Sequence, residues 1–402
     1  MTLWLVLRRD CNLACGYCYQ TDANPQAHLK IVPGLERAMK RDVWEAGARW
    51  AVGWPHDKMP LRVNLYGGEP LMALRELGDL IPWWNIHFAK ERGRTINWSM
   101  TTNGALLLPP ARDFLDRFGV SLLLSLDGPK HLHDRTRVRH DGRGSWDLIK
   151  PQELLQWRPN LEIAWQLDPA TRVEPQDLDE LIDLGFRNIN FNINWLAEWD
   201  AEQRSWLTLF FRHVGRRSMR KEFGTNWTSR FARAMTMGEK MAQPCGLGTG
   251  MLALTPEGWL YPSQEMAFSV FDPSRDPGTA DWYRVGNVFQ DPVLDLEAQR
   301  RVGGIKTSDM RVTAEGYSCG NCIAKADCIG GCHCRYVGQK IGDPSYRYDV
   351  AKGHCQSLVA CHTGFLQAAA IERQVRPVGE HKKEAPAAAP VPAARVVAGW
   401  GR

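Results

Sequence analysis

Short apolar runs alternate with longer amphipathic segments along the first half of the chain. The runs predict buried strands at residues 3–7, 61–66, 96–100, 121–125, 161–167 and 188–193. Segments with helical spacing follow at residues 35–52, 74–91, 111–118, 146–157 and 177–184, and a long amphipathic helix is predicted at 201–221. This strand–helix alternation predicts an α/β fold with a parallel sheet and right-handed crossovers, either open or closed.

The sequence pattern changes after about Gly238. Long periodic segments become scarce and Gly, Pro and Cys become frequent, which is typical of a small domain stabilised by metal clusters. Beyond Arg376 an Ala/Pro-rich stretch lacks the apolar residues needed for a core and is expected to be disordered. We therefore expect three parts: a barrel domain at 1–235, a Cys-rich domain at 236–375 and a tail at 376–402.

The length, net charge, apolar runs and cysteine count of the chain exclude several classes of protein function. The chain has 402 residues, room for two domains, and its net charge of +5 is small and dispersed, so no nucleic-acid partner is expected. No apolar run approaches membrane-spanning length, and the first run is too short for a signal peptide. The 11 cysteines therefore indicate metal or redox chemistry in a reducing cytoplasm, without a membrane partner.

Three cysteines, Cys11, Cys15 and Cys18, follow the first strand with C-x3-C-x2-C spacing. Three thiolates on one loop would leave one iron of a [4Fe-4S] cluster without a protein ligand, and an open iron is a place for chemistry. A structural zinc ion would instead need four Cys or His ligands, and the nearest further candidate is the distant His28. The loop therefore favours an iron–sulfur cluster.

This loop, with Tyr17 before its last cysteine, resembles the cluster loop of the radical S-adenosylmethionine (SAM) enzymes. Three further motifs match that family in order: Gly67-Gly68-Glu69-Pro70, Thr101-Thr102-Asn103-Gly104 and Ser125-Leu126-Asp127-Gly128-Pro129. The resemblance implies a partial (β/α)6 TIM-type barrel with its chemistry at the carboxyl ends of the strands. It also implies that the open iron chelates SAM, and that one electron cleaves SAM to a 5′-deoxyadenosyl radical that abstracts hydrogen from the substrate.

The resemblance assigns a set of residues to SAM. They are Tyr17, Gly67, Gly68, Glu69, Asn103, Ser125, Asp127 and Arg137. In the family the glycine turn meets the SAM amino group, and a guanidinium suits its carboxylate because it donates two parallel hydrogen bonds. Arg139 competes with Arg137 for that role, and the glycine and asparagine motifs also describe ordinary turns.

The cysteines near the C-terminus resemble the SPASM domain, which binds auxiliary clusters in many radical SAM enzymes. The resemblance implies that one auxiliary [4Fe-4S] cluster is held by Cys319, Cys322, Cys328 and Cys355. A second cluster would use Cys245 and Cys332, but Ser263 stands where the family pattern has another cysteine. Cys334, Cys361 or the Ser263 oxygen are alternative ligands, and the second site could be empty. Zinc stays an alternative because His333, His354 and His362 lie close in sequence.

SPASM enzymes mostly modify peptides or proteins, so the resemblance implies maturation of a ribosomally synthesised precursor peptide by cross-linking, epimerisation or backbone excision. Anaerobic sulfatase maturation is an alternative, although those enzymes place Asp where this chain has Gln264. An iron–sulfur electron carrier without SAM chemistry is an alternative of another class. Formation of 5′-deoxyadenosine would distinguish it.

The expected partners are the precursor peptide, a separate leader-binding protein, and a reductant such as flavodoxin or ferredoxin. The separate protein is expected because the first cysteine motif begins by Cys11, so no leader-binding module precedes the first strand. Trp195, Trp199, Trp206 and Trp227 are candidates for lining a peptide groove, with core packing as the alternative.

Overall fold

The computed structural model describes residues 2–18, 36–53, 60–93, 95–194, 197–236, 250–268, 283–303, 322, 324 and 354–375. Six parallel strands lie side by side in chain order and form most of one sheet. They are β1 (Thr2–Arg8), β2 (Leu61–Gly67), β3 (Ile96–Thr102), β4 (Ser121–Ser125), β5 (Glu162–Leu167) and β6 (Asn188–Ile193). The carboxyl ends of parallel strands meet at one edge of the sheet, and a site built there can draw on all six.

Helices connect the parallel strands. They are α1 (Arg41–Gly53), α2 (Leu74–Arg92), α3 (Pro109–Arg117), α4 (Lys130–Thr136), α5 (Trp146–Ile149), α6 (Pro151–Trp157) and α7 (Pro175–Leu184). In β2 and β3 the residues alternate strictly between buried and more exposed positions, so only one face of these strands packs in the core. The other face carries polar side chains such as Asn64 and Ser99, and this pattern suits the inner face of an open barrel.

The chain returns to β1 after two more helices, α8 (Ala201–Met219) and α9 (Asn226–Thr236). Strand β7 (Met251–Leu254) pairs in parallel with β1, and β8 (Trp259–Tyr261) and β9 (Gly286–Asn287) continue the sheet in antiparallel order. The remaining helices are α10 (Gln264–Phe268), α11 (Leu296–Gly303) and α12 (His354–Val375). Strand β1 therefore has a neighbour from each half of the described chain.

Helices α8 and α12 pack at close range. A Cβ at Gly364 would lie 2.5 Å from the Thr208 carbonyl oxygen and 2.7 Å from the Arg212 nitrogen. Arg216 of α8 and Arg220, directly after that helix, both contact the Glu372 carboxylate of α12. Among the described helices, none is long and apolar enough to cross a membrane.

The six predicted barrel strands are confirmed to within two residues at each end, but the helices differ at several places. Helix α1 begins at Arg41 instead of residue 35, and α4 and α9 were not predicted. The helix predicted over 146–157 is divided, because Lys150 adopts a left-handed conformation (φ 51°) directly before Pro151. The 22-residue helix α12 was not predicted, since the segment after Gly238 was expected to lack long regular elements. The tail at 376–402 lies outside the described residues, and the division of the chain at 235/236 stays a prediction.

Candidate active site

A cysteine loop, residues 9–18, leaves β1 at the carboxyl edge of the sheet. The segment after α4 fixes its course, since Ala14 N donates to Val138 O (2.8 Å) and Gly16 N donates to Thr136 O (3.0 Å). The last turn of the loop is closed by a hydrogen bond from Cys18 N to Cys15 O (3.0 Å). The three cysteines therefore belong to an ordered loop held by backbone contacts.

The three cysteine side chains are the candidate cluster ligands. Cys15 is buried, and Cys11 and Cys18 are half-buried. Burial raises the pKa of both Cys11 and Cys15 to about 12, so these two thiols are protonated at neutral pH until a metal displaces the protons. In the described part of the chain no three His, Cys, Asp or Glu side chains converge as ligands of one ion. A three-thiol donor set fits a cluster with one open iron better than a closed zinc site.

Gly67 and Gly68 lie against the backbone of the cysteine loop. A Cβ at Gly68 would lie 2.5 Å from the Asp10 carbonyl carbon and closer still to its oxygen. Gly67 has a positive φ of 151°, and a Cβ there would be 3.0 Å from Arg8 N. Gly68 N donates to Arg8 O (2.8 Å) and Glu69 N to Asp10 O (3.1 Å). The glycine turn therefore supports the loop directly, and its contact with the SAM amino group stays a prediction.

Glu69 connects the ends of β2 and β3. Its fully buried carboxylate accepts hydrogen bonds from Leu71 N (3.0 Å), Thr102 Oγ1 (2.8 Å) and Asn103 N (2.8 Å). Burial raises the pKa of Glu69 to about 7, although these donors and Arg137 act in the opposite direction. The Asn103 side chain in turn reaches the cysteine loop, where Nδ2 lies 2.8 Å from Asn12 Oδ1.

Several polar groups contact the Asp127 carboxylate close to the cysteine loop. Its Oδ2 accepts from Tyr17 Oη (2.6 Å) and Thr136 Oγ1 (3.0 Å), and its Oδ1 accepts from Gln166 N (3.0 Å). Arg137 Nε lies 2.9 Å from Oδ2 as a close ion pair that lacks hydrogen-bond geometry. The two predicted SAM residues Asp127 and Arg137 are thus paired with each other.

Arg137 and Tyr17 are positioned together. The guanidinium carbon lies 5.4 Å from the Tyr17 ring centroid, and burial raises the Tyr17 pKa well above its usual value. Burial lowers the pKa of Arg137, but the adjacent Asp127 charge outweighs it and keeps the guanidinium ionised. Ser125, half-buried at the end of β4, has no hydrogen-bond partner for its hydroxyl among the described residues. The roles of these residues toward SAM stay predictions.

Two residues that contact the cysteine loop were not predicted from the sequence. Arg9 is buried, and its guanidinium donates to Ala267 O (2.8 Å) and Glu257 Oε2 (2.9 Å), which ties the loop to the segment after β7. His140 Nε2 lies 3.0 Å from Cys11 O. Both residues stand among other basic residues in the sequence, so no pattern set them apart.

Most of the predicted auxiliary-cluster ligands lie outside the described residues. These are Cys245, Cys319, Cys328 and Cys332, together with the side chain of Cys355 at the start of α12. Cys322 is half-buried, Cys361 is buried in α12, and Ser263 is only 2% exposed.

Three of the four candidate groove tryptophans lie in the core, and Trp195 is outside the described residues. Trp199, Trp206 and Trp227 are 2%, 5% and 0% exposed. Trp199 and Trp206 pack against each other with ring centroids 5.3 Å apart, and Trp227 packs on Phe211. Core packing therefore accounts for all three.

Comparison with known proteins shows which proteins the chain is similar to. No protein-family model matches the chain. The radical SAM cyclopropyl synthase TigE of Paramaledivibacter caminithermalis is 23% identical over 173 residues, which are 39% of this chain and 33% of TigE. The serine-type anaerobic sulfatase-maturating enzyme of Klebsiella aerogenes is 28% identical over 187 residues, 45% of this chain and 43% of that enzyme. The matches therefore span less than half of these relatives.

Solved structures extend the likeness to nearly the whole chain. The protein anSMEcpe with bound AdoMet has a TM-score of 0.68 at 17% identity, covering 93% of this chain and 100% of that one. Streptococcus suis SuiB bound to its precursor peptide SuiA has a TM-score of 0.54 at 16% identity, covering 87% and 75%. These structures share the fold, and the sequence matches show that the chain is similar to radical SAM enzymes.

Proposed function

We propose that this protein is a radical SAM enzyme that modifies a ribosomally synthesised precursor peptide. The observation that carries the proposal is the ordered loop of Cys11, Cys15 and Cys18 at the carboxyl edge of a partial barrel. Those thiols would hold a [4Fe-4S] cluster, and SAM would bind beside it. With one electron from an external reductant, the two groups would supply radical chemistry that abstracts hydrogen from the substrate.

The protein supplies the frame for this chemistry. The turn after β2 and the residues at and just after the end of α4 hold the loop through backbone hydrogen bonds, so the backbone that carries the three cysteines is fixed. The paired Asp127 and Arg137 keep a guanidinium in place below the loop. Ser125 leaves a hydroxyl at the end of β4 that is available to a ligand.

A peptide substrate is supported by solved structures of similar proteins. SuiB has been solved with a bound precursor peptide, and anSMEcpe with the Cp18Cys and Kp18Cys peptides. TigE is a cyclopropyl synthase. We favour precursor-peptide maturation, with cross-linking, epimerisation or backbone excision as its possible outcomes.

Sulfatase maturation is the second candidate. It is favoured by several sulfatase-maturating relatives of the serine type and one of the cysteine type. The residue after Ser263 argues against it, because Gln264 lacks the carboxylate that the sulfatase-maturating family places at that position.

The remaining parts of the proposal concern the downstream chain and the partners. At least one auxiliary [4Fe-4S] cluster would be bound within residues 236–375, behind a barrel domain at 1–235 and before a tail at 376–402. A separate leader-binding protein would present the peptide, and flavodoxin or ferredoxin would supply electrons. A reducing cytoplasm suits such clusters.

Anaerobic co-expression with the precursor peptide encoded next to this gene tests the proposal. A variant with Cys11, Cys15 and Cys18 changed to Ala is the control, and peptide mass and 5′-deoxyadenosine are measured. A mass decrease of about two hydrogens indicates a cross-link, and a larger loss indicates excision. Deuterium uptake at constant composition indicates epimerisation. No 5′-deoxyadenosine from the reduced, iron-loaded protein would leave an electron carrier as the better description.

A further inference from the structure

The side chain of Asn103 is fully engaged by the protein. Its Nδ2 donates to Asn12 Oδ1 (2.8 Å) and to Cys11 Sγ (3.6 Å). Its Oδ1 accepts from Ala105 N (3.0 Å), and its backbone N donates to Glu69 Oε2 (2.8 Å). A primary amide has two N–H donors, and both are used by the cysteine loop, which leaves none for a ligand.

Cys11 receives more than one contact of this kind. Leu13 N also approaches Cys11 Sγ, at 3.4 Å, and His140 Nε2 lies 3.0 Å from the Cys11 carbonyl oxygen. The sulfur thus has a backbone donor from its own loop and a side-chain donor from the end of β3. Two N–H groups directed at one sulfur suit a thiolate ligand, since a neutral thiol is only a weak acceptor.

The backbone of Asn103 is also fixed by a hydrogen bond to a buried side chain. Asn103 is 6% exposed, and the fully buried Glu69 fixes its backbone at the end of β3. Thr102 Oγ1 donates to the same carboxylate and accepts from Gly104 N (3.1 Å). The amide group is therefore presented to Cys11 in a single orientation.

We propose that Asn103 is a positioning residue for Cys11 and for the electronics of the cluster bound there, and that it is not a SAM ligand. This inference rests on the proposed function. Hydrogen bonds to ligand sulfurs stabilise the reduced, more negative state of an iron–sulfur cluster and raise its reduction potential. The network running from Glu69 through Asn103 to Cys11 therefore sets how readily the cluster accepts its electron.

The test compares two substitutions at Asn103 in the reconstituted full-length protein. Asn103→Asp keeps an acceptor for Ala105 N and removes both N–H donors, while Asn103→Ala removes the donors without adding charge. Asn85→Asp is the matched control, because the Asn85 amide uses its oxygen to accept from Trp98 Nε1 (2.9 Å). Iron content, the reduction potential and the EPR spectrum of the reduced cluster are measured without SAM.

We expect Asn103→Ala to shift the potential to a more negative value and Asn103→Asp to shift it further, with Asn85→Asp unchanged. Loss of iron from both Asn103 variants in a folded protein would equally support the role toward Cys11. Unchanged iron, potential and EPR spectrum combined with weakened SAM binding would overturn the inference. A wild-type protein that carries a cluster but fails to cleave SAM would instead overturn the proposed function, so the two failures are distinguishable.

Discussion

Replacing Gly68 with alanine places a methyl group where the backbone of the cysteine loop lies. The added Cβ would be 2.5 Å from the Asp10 carbonyl carbon and 3.0 Å from Arg9 O, with the Asp10 oxygen closer still. Carbon contacts are favourable at about 3.5–4.0 Å, so the loop must move by about 1 Å. That movement also stretches the hydrogen bond from Glu69 N to Asp10 O, now 3.1 Å long.

The free-energy cost of Gly68→Ala follows from the steric overlap and from the stretched hydrogen bond. Overpacking costs about 1–3 kcal/mol, and a weakened backbone hydrogen bond adds about 1 kcal/mol. If the cluster-binding conformation bears this cost, cluster binding falls at least tenfold, since about 1.4 kcal/mol is a factor of ten. We therefore expect Gly68→Ala to lower iron loading as well as SAM cleavage.

Anaerobic reconstitution followed by iron analysis and visible absorbance measures the effect. Gly78→Ala in α2 is the matched control, because nothing in the described structure lies within 4 Å of the added Cβ. If Gly68→Ala took up as much iron as the wild type and only its SAM affinity fell, the glycine would serve SAM and the steric reasoning would be refuted.

Three further predictions concern ionisation and packing. Because the pKa of Glu69 is raised from 4.5 to about 7, its contribution to stability is present below about pH 4.5 and is lost as the pH rises toward 7. The apoprotein should thus melt at a lower temperature at pH 8 than at pH 6, and an equal pH dependence in Glu69→Gln would contradict this. In the apoprotein, burial raises the pKa of Cys15 to about 12, so Cys15 should react with iodoacetamide at pH 7.5 much more slowly than a model thiol. Mass spectrometry measures the alkylation rate, and a rate equal to that of the model thiol would contradict the burial of Cys15. Gly364→Ala should lower the free energy of unfolding by about 1–3 kcal/mol, because its Cβ would meet the backbone of α8. Denaturant titration measures this, with Gly78→Ala as a control that should not be destabilised. Equal unfolding midpoints for the two variants would contradict the close contact between the helices.

Local sequence pattern was sufficient for the elements that alternate along the barrel. Strands β4 and β6 begin and end at the predicted residues, because each is a short run between clear turn or helix signals. The break at Lys150 also had a signal, since a residue before proline disfavours helical geometry. The pairing of β7 with β1 had no such signal, because it joins residues about 250 positions apart in the sequence.

In the candidate site, the sequence predicted which residues take part but not which of them contact one another. Motif spacing selected the loop cysteines, Glu69, Asn103 and Asp127, all of which the structure places at one edge of the sheet. It could not indicate that Asp127 pairs with Arg137, because that contact depends on how the segment after α4 folds back. Partners in a polar network are set by tertiary packing, which a one-dimensional pattern does not contain.

The position of β1 between β2 and β7 affects how the protein matures during synthesis. Strand β1 receives its second neighbour only when Leu254 has been translated, and Arg9 meets Ala267 still later. Contacts so distant in sequence form late in folding. The cysteine loop therefore takes its final shape only after the chain has been translated as far as Ala267.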